Sequence, residues 1–228
     1  MHAPEIHLAV DAVVFGYRDG EGLRALTIEQ TRGPLAGRRA LPGGFVRAGE
    51  GLRAAVEREL LEEAGLRVDY LEQLRTYGDD VARDPRAQVV SVAYWALVRP
   101  AALVSDPAGD ARAARWDPIA EVPPLAFDHD VLLADALARL RAKLRYQPVG
   151  FALLPEVFGF SELERLYGAI LGRAVDRRNF RKKVLGLGIL TETGQTRSEG
   201  RGRPAALYRF DAERYRALER EGFLLDIK

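Results

Sequence analysis

Residues 6–15 and 23–30 run apolar or alternate, with β-branched members, and the polar, glycine-bearing segment 18–22 separates them. This pattern predicts two strands joined by a hairpin loop. Residues 66–77 and 88–98 carry the same strand signature, whereas 50–64 and 128–146 read as helices. In the second helix Leu133, Leu137, Leu140 and Leu144 recur at helical spacing and predict a buried stripe, with Asp128 placed to cap its start. The first 147 residues therefore mix helices and strands.

The pattern changes at Gln147. Pro148, Gly150, Pro155 and Gly159 punctuate a stretch that also holds Val149, Phe151, Leu153, Leu154, Val157 and Phe158. Flexible linkers are polar, so a segment this apolar is expected to dock rather than float. The predicted domains are 1–147 and 148–228. Ser161, Glu162, Leu163 and Glu164 read as a capping box, followed by one apolar face of Leu163, Leu166, Tyr167, Ile170 and Leu171. After a short connection, 172–175, Asp176 is placed to cap a second helix over 177–185 that stops at Gly186 and Gly188. That is helix-turn-helix spacing. Residues 189–191 and 206–210 read as two strands around the basic, glycine-rich loop QTRSEGRGRP, a wing.

Composition adds exclusions. With no cysteine and three scattered histidines there are no disulfides, iron–sulfur clusters or thiol nucleophiles, and any metal is left to oxygen ligands. The longest apolar stretch, 89–98, is far short of the roughly 20 residues that span a bilayer. No secretory signal is visible at the start, so a cytoplasmic protein without a membrane partner is expected. The net charge of +1 conceals a division. Residues 1–150 hold 19 basic and 22 acidic residues, net −3, and residues 151–228 hold 15 and 11, net +4. Between Arg173 and Arg209 there are 10 basic and 3 acidic residues, net +7, a concentration suited to releasing counterions from DNA phosphates.

The acidic half carries the chemistry. On a helix advancing about 100° per residue, Glu59, Glu62 and Glu63 fall within one arc, with Arg58 beside them, Gly43 and Gly44 before the helix and Gly65 after it. Such hard oxygen donors suit Mg²⁺ or Mn²⁺ bridging a diphosphate. Residues 44–66, GFVRAGEGLRAAVERELLEEAGL, meet every position of the Nudix box, including Gly44 and Gly65, and the chain resembles the Nudix hydrolases there. The resemblance implies an α/β/α sandwich with a mixed sheet. It also makes Glu59, Glu62 and Glu63 metal ligands and gives Arg58 and Glu50 roles in orienting the catalytic helix. The base that activates water stays open, with Asp79, Asp80 and Asp84 in a loop outside the box. Arg32, Arg39 and Arg86 are available to meet phosphates, and Tyr17, Tyr77 or Tyr94 to stack on a base.

In the basic half, Phe180 and Val184 point to one side of the second helix, and Arg178, Asn179, Lys182 and Lys183 to the other. Arg177, Arg181, Arg201 and Arg203 complete the expected DNA-binding set, in which phosphate contacts supply affinity and base-edge contacts specificity. A Nudix domain followed by a winged helix-turn-helix, an α+β arrangement overall, resembles the Nudix-related transcriptional regulators of NAD metabolism. The strings LAFDHDVLLADALARLR, LLPEVFGFSELERLYGAILGR, DRRNFRKKVL and GRGRPAALYRF carry that likeness over nearly the whole chain. It implies a homodimeric repressor that leaves operator DNA when ADP-ribose or a related NAD derivative binds. Many such regulators have a degraded Nudix box; this one is complete, which leaves room for hydrolysis of ADP-ribose to AMP and ribose 5-phosphate. Two alternatives stay open: a pyrophosphatase whose C-terminal module serves dimerisation or substrate capping, and a regulator responding to a neutral sugar, against which an intact metal box argues.

Overall fold

The computed structural model describes residues 5–99, 101, 114–198 and 204–221. The chain divides into two compact units: residues 1–16 with 24–139, and residues 17–23 with 140–228.

The first unit is built on a mixed seven-stranded sheet. Strands β1 (His7–Arg18), β2 (Gly22–Glu29), β3 (Arg39–Ala40), β4 (Gly43–Phe45), β5 (Tyr70–Tyr77), β6 (Val89–Val98) and β7 (Arg115–Pro118) contribute. The central order is β3-β2-β1-β6-β5, with β4 added to β1 and β7 to β2. Parallel pairing of β1 with β6 runs from His7↔Val89 to Gly16↔Val98, and the other mapped pairings in this sheet are antiparallel. The apolar run of β1 is buried almost throughout, as expected for a strand covered on both faces. Alternate side chains point to opposite faces. Val10, Ala12 and Val14 meet the helix α1 (Leu52–Ala64) through its buried Ala55, Val56 and Leu60. Asp11, Val13 and Phe15 turn the other way and are equally buried.

Helix α1 starts two residues later than its sequence pattern suggests, after Gly51. It ends where predicted: Gly65 is left-handed, φ 61°, and its N–H bonds Leu61 O at 3.0 Å. Helix α2 spans His129–Lys143. Its most buried stripe is Leu132, Ala136 and Leu140, continued by Leu144, so the predicted stripe is rotated by one position, with Leu133 and Leu137 half-buried. Asp128 does not spend its carboxylate as a cap; both oxygens accept from Arg83, at 2.6 and 2.9 Å. Strands β3, β4 and β7 are two to four residues long and too short to show a period.

The second unit contains α3 (Phe160–Leu171), α4 (Arg177–Gly186), α5 (Ala212–Arg220) and a small sheet ordered β8-β10-β9 from Phe158–Gly159, Ala205–Phe210 and Leu190–Arg197. Helix α3 begins before the predicted capping box: the Glu162 carboxylate accepts the Gly159 N–H at 2.5 Å, and Glu164 instead pairs with Arg177. The cap of α4 is as predicted, Asp176 accepting the Asn179 N–H at 3.2 Å. Phe160, Tyr167 and Phe180 pack ring against ring under the two helices, and Tyr208 of β10 meets Phe160 edge-on. The docking segment 148–159 is largely buried, as its apolar content implied, with Phe151 stacked on Phe210 at 4.4 Å. Among the described residues no helix is long and apolar enough to cross a membrane.

Candidate functional site

Arg58 is the hub of the acidic helix. Its Nε and Nη2 donate to the two Glu50 oxygens at 2.8 and 2.9 Å, its Nη1 to Glu59 at 2.6 Å and to Glu62 at 3.2 Å, and Nη2 also reaches Phe45 O at 3.2 Å. A planar guanidinium can bind one carboxylate with two parallel bonds and still serve others. Arg58 thereby ties the Glu50 loop and β4 to α1. Hydrogen bonding from Arg58 and from the Arg47 backbone holds the Glu50 carboxyl at about 2.

Glu59 lies against Gly44, where a Cβ would collide with its carboxylate and push that flexible side chain aside. Glu62 is more exposed and takes both its oxygens to Arg47 at 3.2 Å. Glu63 is turned inward: burial pushes its carboxyl up to about 7, despite the Gly43 N–H donated at 2.9 Å, and the charges of Glu59, Asp11 and Glu62 add to the rise. The structure thus brings Glu50, Arg58, Glu59, Glu62 and Glu63 together as one cluster. Among the described residues no three acidic or histidine side chains are gathered as a preformed cation cage, since Arg58 and Arg47 occupy Glu59 and Glu62. The donor set nevertheless fits a hard divalent cation. It is all oxygen, and the crowding of like charge around Glu63 is what a cation would relieve.

Beside this cluster is a cavity of about 160 Å³. Its floor carries Asp11, a carboxylate on a buried strand. Burial would raise this group, but His129, Ser91 and Arg83 outweigh it and hold it at about 2. Ser91 Oγ donates at 2.5 Å, Arg83 Nη2 stands at 3.4 Å and His129 Nε2 at 3.4 Å. His129 Nδ1 accepts the Leu41 N–H at 2.9 Å, which assigns the remaining ring proton to Nε2, facing Asp11. Phe127 has φ 58°, rare for a bulky residue, and lines the cavity. Strain of this kind collects at functional sites. The Arg86 guanidinium sits 5.0 Å from the Phe127 ring and 5.6 Å from the Phe45 ring while pairing with Asp84.

Of the three arginines expected to meet phosphates, only Arg86 lines this cavity. Arg39 is turned to Thr27, bonding its carbonyl at 2.5 Å and its hydroxyl at 2.6 Å, and fastens β3 to β2. Arg32 is exposed on a loop. Asp84 is bound to Arg86 and Asp80 accepts the Ala82 N–H, both in the manner of turn residues. Tyr94 is in the core, Tyr77 donates to Asp135 at 2.8 Å and Tyr17 to Asp19 at 3.2 Å. Sequence reasoning missed Asp11, Arg83 and Phe127 as cavity residues. Asp11 had a signal: one carboxylate inside an otherwise apolar strand must be paired if it is buried.

In the second unit, α4 presents Arg178, Asn179 and Lys182 to solvent, with Phe180 and Val184 buried behind them and Lys183 intermediate. Arg177 is exposed but pairs with Glu164 at 3.1 Å. Arg181 leaves the row. Its guanidinium lies 4.7 Å over the Phe160 ring and reaches the Tyr208 hydroxyl at 3.3 Å. The hairpin of β9 and β10 forms the predicted wing, in which Arg197 is tied to Glu162 at 3.0 Å. Arg201 and Arg203 lie outside the described residues.

Two family descriptions match: a NUDIX domain over residues 5–137 and an NrtR DNA-binding winged helix domain over residues 150–210. The chain is 36% identical over 216 residues to the ADPR responsive transcriptional repressor NtrR of Acinetobacter baylyi, covering 93% of this chain and 85% of that one. It is similar to the crystal structure of Shewanella oneidensis NrtR complexed with a 27mer DNA, at TM-score 0.80 and 34% identity over 97% of this chain and 99% of that one. The NUDIX domain of the same Shewanella protein complexed with ADP ribose matches at TM-score 0.52 and 36% identity, over 60% of this chain and 89% of that one.

Proposed function

The chain belongs to the NrtR-type regulators, a Nudix domain followed by a winged helix, and from that membership we propose that it is a transcriptional repressor of NAD-metabolism genes that responds to ADP-ribose. The observation that carries this reading is the pairing of an exposed basic α4 and wing with a Nudix cavity on the same chain. Relatives crystallised with DNA and with ADP-ribose support the two partners. We take residues 1–147 as the sensor and 148–228 as the DNA-binding domain, acting as a homodimer on operator DNA. Arg178, Asn179 and Lys182 contact DNA most directly, with Arg177, Lys183, Arg201 and Arg203 adding charge and Arg181 positioning the helix.

In the sensor, Arg86 meets the diphosphate and the Phe45 and Phe127 rings flank it. The cavity is smaller than the about 300–1,000 Å³ of pockets for drug-sized ligands, so ADP-ribose extends beyond it onto the glutamate cluster. Nudix domains use a divalent metal. Here Mg²⁺ or Mn²⁺ would be held by Glu59, Glu62 and Glu63, where it offsets diphosphate charge and acidifies water. Arg58 and Glu50 keep α1 in register with β4, and Gly44 leaves room for Glu59. The complete box equips this domain to hydrolyse ADP-ribose: water adds to one phosphorus, the bridging P–O bond breaks, and AMP and ribose 5-phosphate leave.

Gel shifts with DNA from upstream of the chain's own gene test the reading. A complex that ADP-ribose dissolves is the expected result. No complex favours a pyrophosphatase without an operator, and a complex that a neutral sugar but no diphosphate dissolves favours a sugar sensor.

A further inference from the structure

Phe127 is the one residue other than glycine with a positive φ among the described residues, at 58°. A bulky L-side chain rarely adopts this left-handed conformation, and it persists where the surroundings over-determine it. They do so here on both sides. Leu125 donates its N–H to the Asp130 carboxylate at 3.2 Å, its carbonyl accepts Arg38 Nη2 at 2.7 Å, and the Ala126 N–H reaches Arg39 O at 2.7 Å. Beyond Phe127, the Asp128 carboxylate is gripped by the buried Arg83. A turn ahead of α2 calls only for the backbone angle, which glycine supplies without strain. The phenylalanine ring is what the strain retains.

That ring packs against Ile28, Ala40 and Ala126, and an aliphatic side chain would serve such packing as well. Only an aromatic face attracts a cation, and the Arg86 guanidinium lies over the Phe127 and Phe45 rings at 5.0 and 5.6 Å. Asp84 orients Arg86 from another side. Its side chain is 4% exposed, and its oxygens accept Arg86 Nε at 2.9 Å and Nη2 at 2.7 Å. These bonds use one edge of the guanidinium fork and leave Nη1 without a partner among the described residues. Phe45, Asp84, Arg86 and Phe127 all line the same cavity.

We infer that Phe127 is a positioning residue: its ring, with that of Phe45, fixes the plane of the Arg86 guanidinium so that the Nη1 edge is presented to the ligand's diphosphate. The inference rests on the assignment of Arg86 to the diphosphate made above. An arginine on a flexible stem loses rotamer freedom when it binds an anion, and holding it against two rings and a buried carboxylate removes part of that loss in advance. The ties through Arg38, Arg39 and Arg83 keep the strained residue, and hence its ring, in place for Arg86.

Calorimetric titration of the full chain with ADP-ribose, beside thermal melts, tests this in Phe127→Leu, Arg86→Gln, the double variant and Phe127→Tyr. Each of the first two is expected to weaken binding at least tenfold. The double variant should bind no more weakly than Arg86→Gln alone, because a residue acting only through Arg86 has nothing left to position. Phe127→Tyr keeps the aromatic face and should bind as the parent does. Phe127→Gly should melt above Phe127→Ala, since φ 58° suits glycine, yet both should bind as weakly as Phe127→Leu. A parent that does not bind ADP-ribose overturns the function proposed above, and parental affinity in Arg86→Gln overturns the assignment of Arg86; either takes this inference with it. Where Arg86→Gln is weakened, three results overturn the inference alone: parental affinity in Phe127→Leu, additive losses in the double variant, or affinity that follows melting temperature across the Phe127 variants.

Discussion

Asp11 and His129 face one another across the Nudix cavity, Oδ1 to Nε2 at 3.4 Å, and neither is free to turn away. His129 is pinned from behind by the Leu41 N–H, and Asp11 by Ser91 and Arg83. A buried carboxylate, a histidine and an arginine in this arrangement form one electrostatic unit, and removing a member leaves the others uncompensated.

Asp11→Asn is therefore expected to destabilise the first unit by about 3 kcal/mol, the usual cost of breaking a buried pair. The Asp11 carboxyl is depressed from 3.8 to about 2 in the folded protein. A depressed carboxyl contributes stability that is present above its unfolded value and lost as pH falls through its folded value. The parent should lose stability more steeply than Asp11→Asn between pH about 4 and about 2. Melting temperatures across that window decide it, and parallel curves would exclude the coupling.

Glu62→Gln should leave the fold intact, because Glu62 is exposed and its ties to Arg47 and Arg58 are surface bonds worth little. Release of AMP from ADP-ribose with Mg²⁺ should fall by at least 100-fold. Sustained product formation, followed by chromatography, would remove Glu62 from the metal site.

Gly44→Ala should be far more damaging than its size suggests. The added Cβ meets the Glu59 carboxylate, so Glu59 is driven off its bond to Arg58. We expect loss of AMP release with a small fall in melting temperature. Normal turnover in the alanine variant would show that the position of Glu59 is unimportant.

Arg178→Ala and Arg181→Ala should separate two roles within one helix. Arg178 is exposed, so its loss should weaken operator binding and lower the slope of log K against log salt by about 1. Arg181 covers Phe160 and holds Tyr208, so its loss should lower the melting temperature first. Fluorescence anisotropy over a salt series, beside thermal denaturation, distinguishes them; equal effects on both readouts would contradict the division.

The sequence pattern made some of these residues visible and hid others for physical reasons. The glutamates and Arg58 stood out because six consecutive residues of one helix carry them, and local spacing is legible in a linear chain. The α4 face was legible for the same reason, apart from Arg181, whose long stem lets its head group lie over a ring from another helix. Asp11, Arg83 and His129 come from a strand, a loop and a helix 46 or more residues apart, and only the β1–β6 register, which sets Ser91 against Ala9, brings the Ser91 hydroxyl within reach of Asp11. Strands β3, β4 and β7 owe their form to pairing with longer neighbours, a cause that no local period records. The misplaced caps have one explanation: Asp128 and Glu164 found stronger partners in Arg83 and Arg177 than a backbone N–H.

The second unit includes residues 17–23, the tip of the β1–β2 hairpin, where Asp19 receives Arg165 at 2.7 and 2.8 Å. The second unit is therefore discontinuous in sequence. A fragment beginning at residue 148 would carry the winged helix without the loop that Arg165 grips, and grafting that fragment onto an unrelated sensor would transplant an incomplete body. The second unit is whole only when the hairpin tip comes with it.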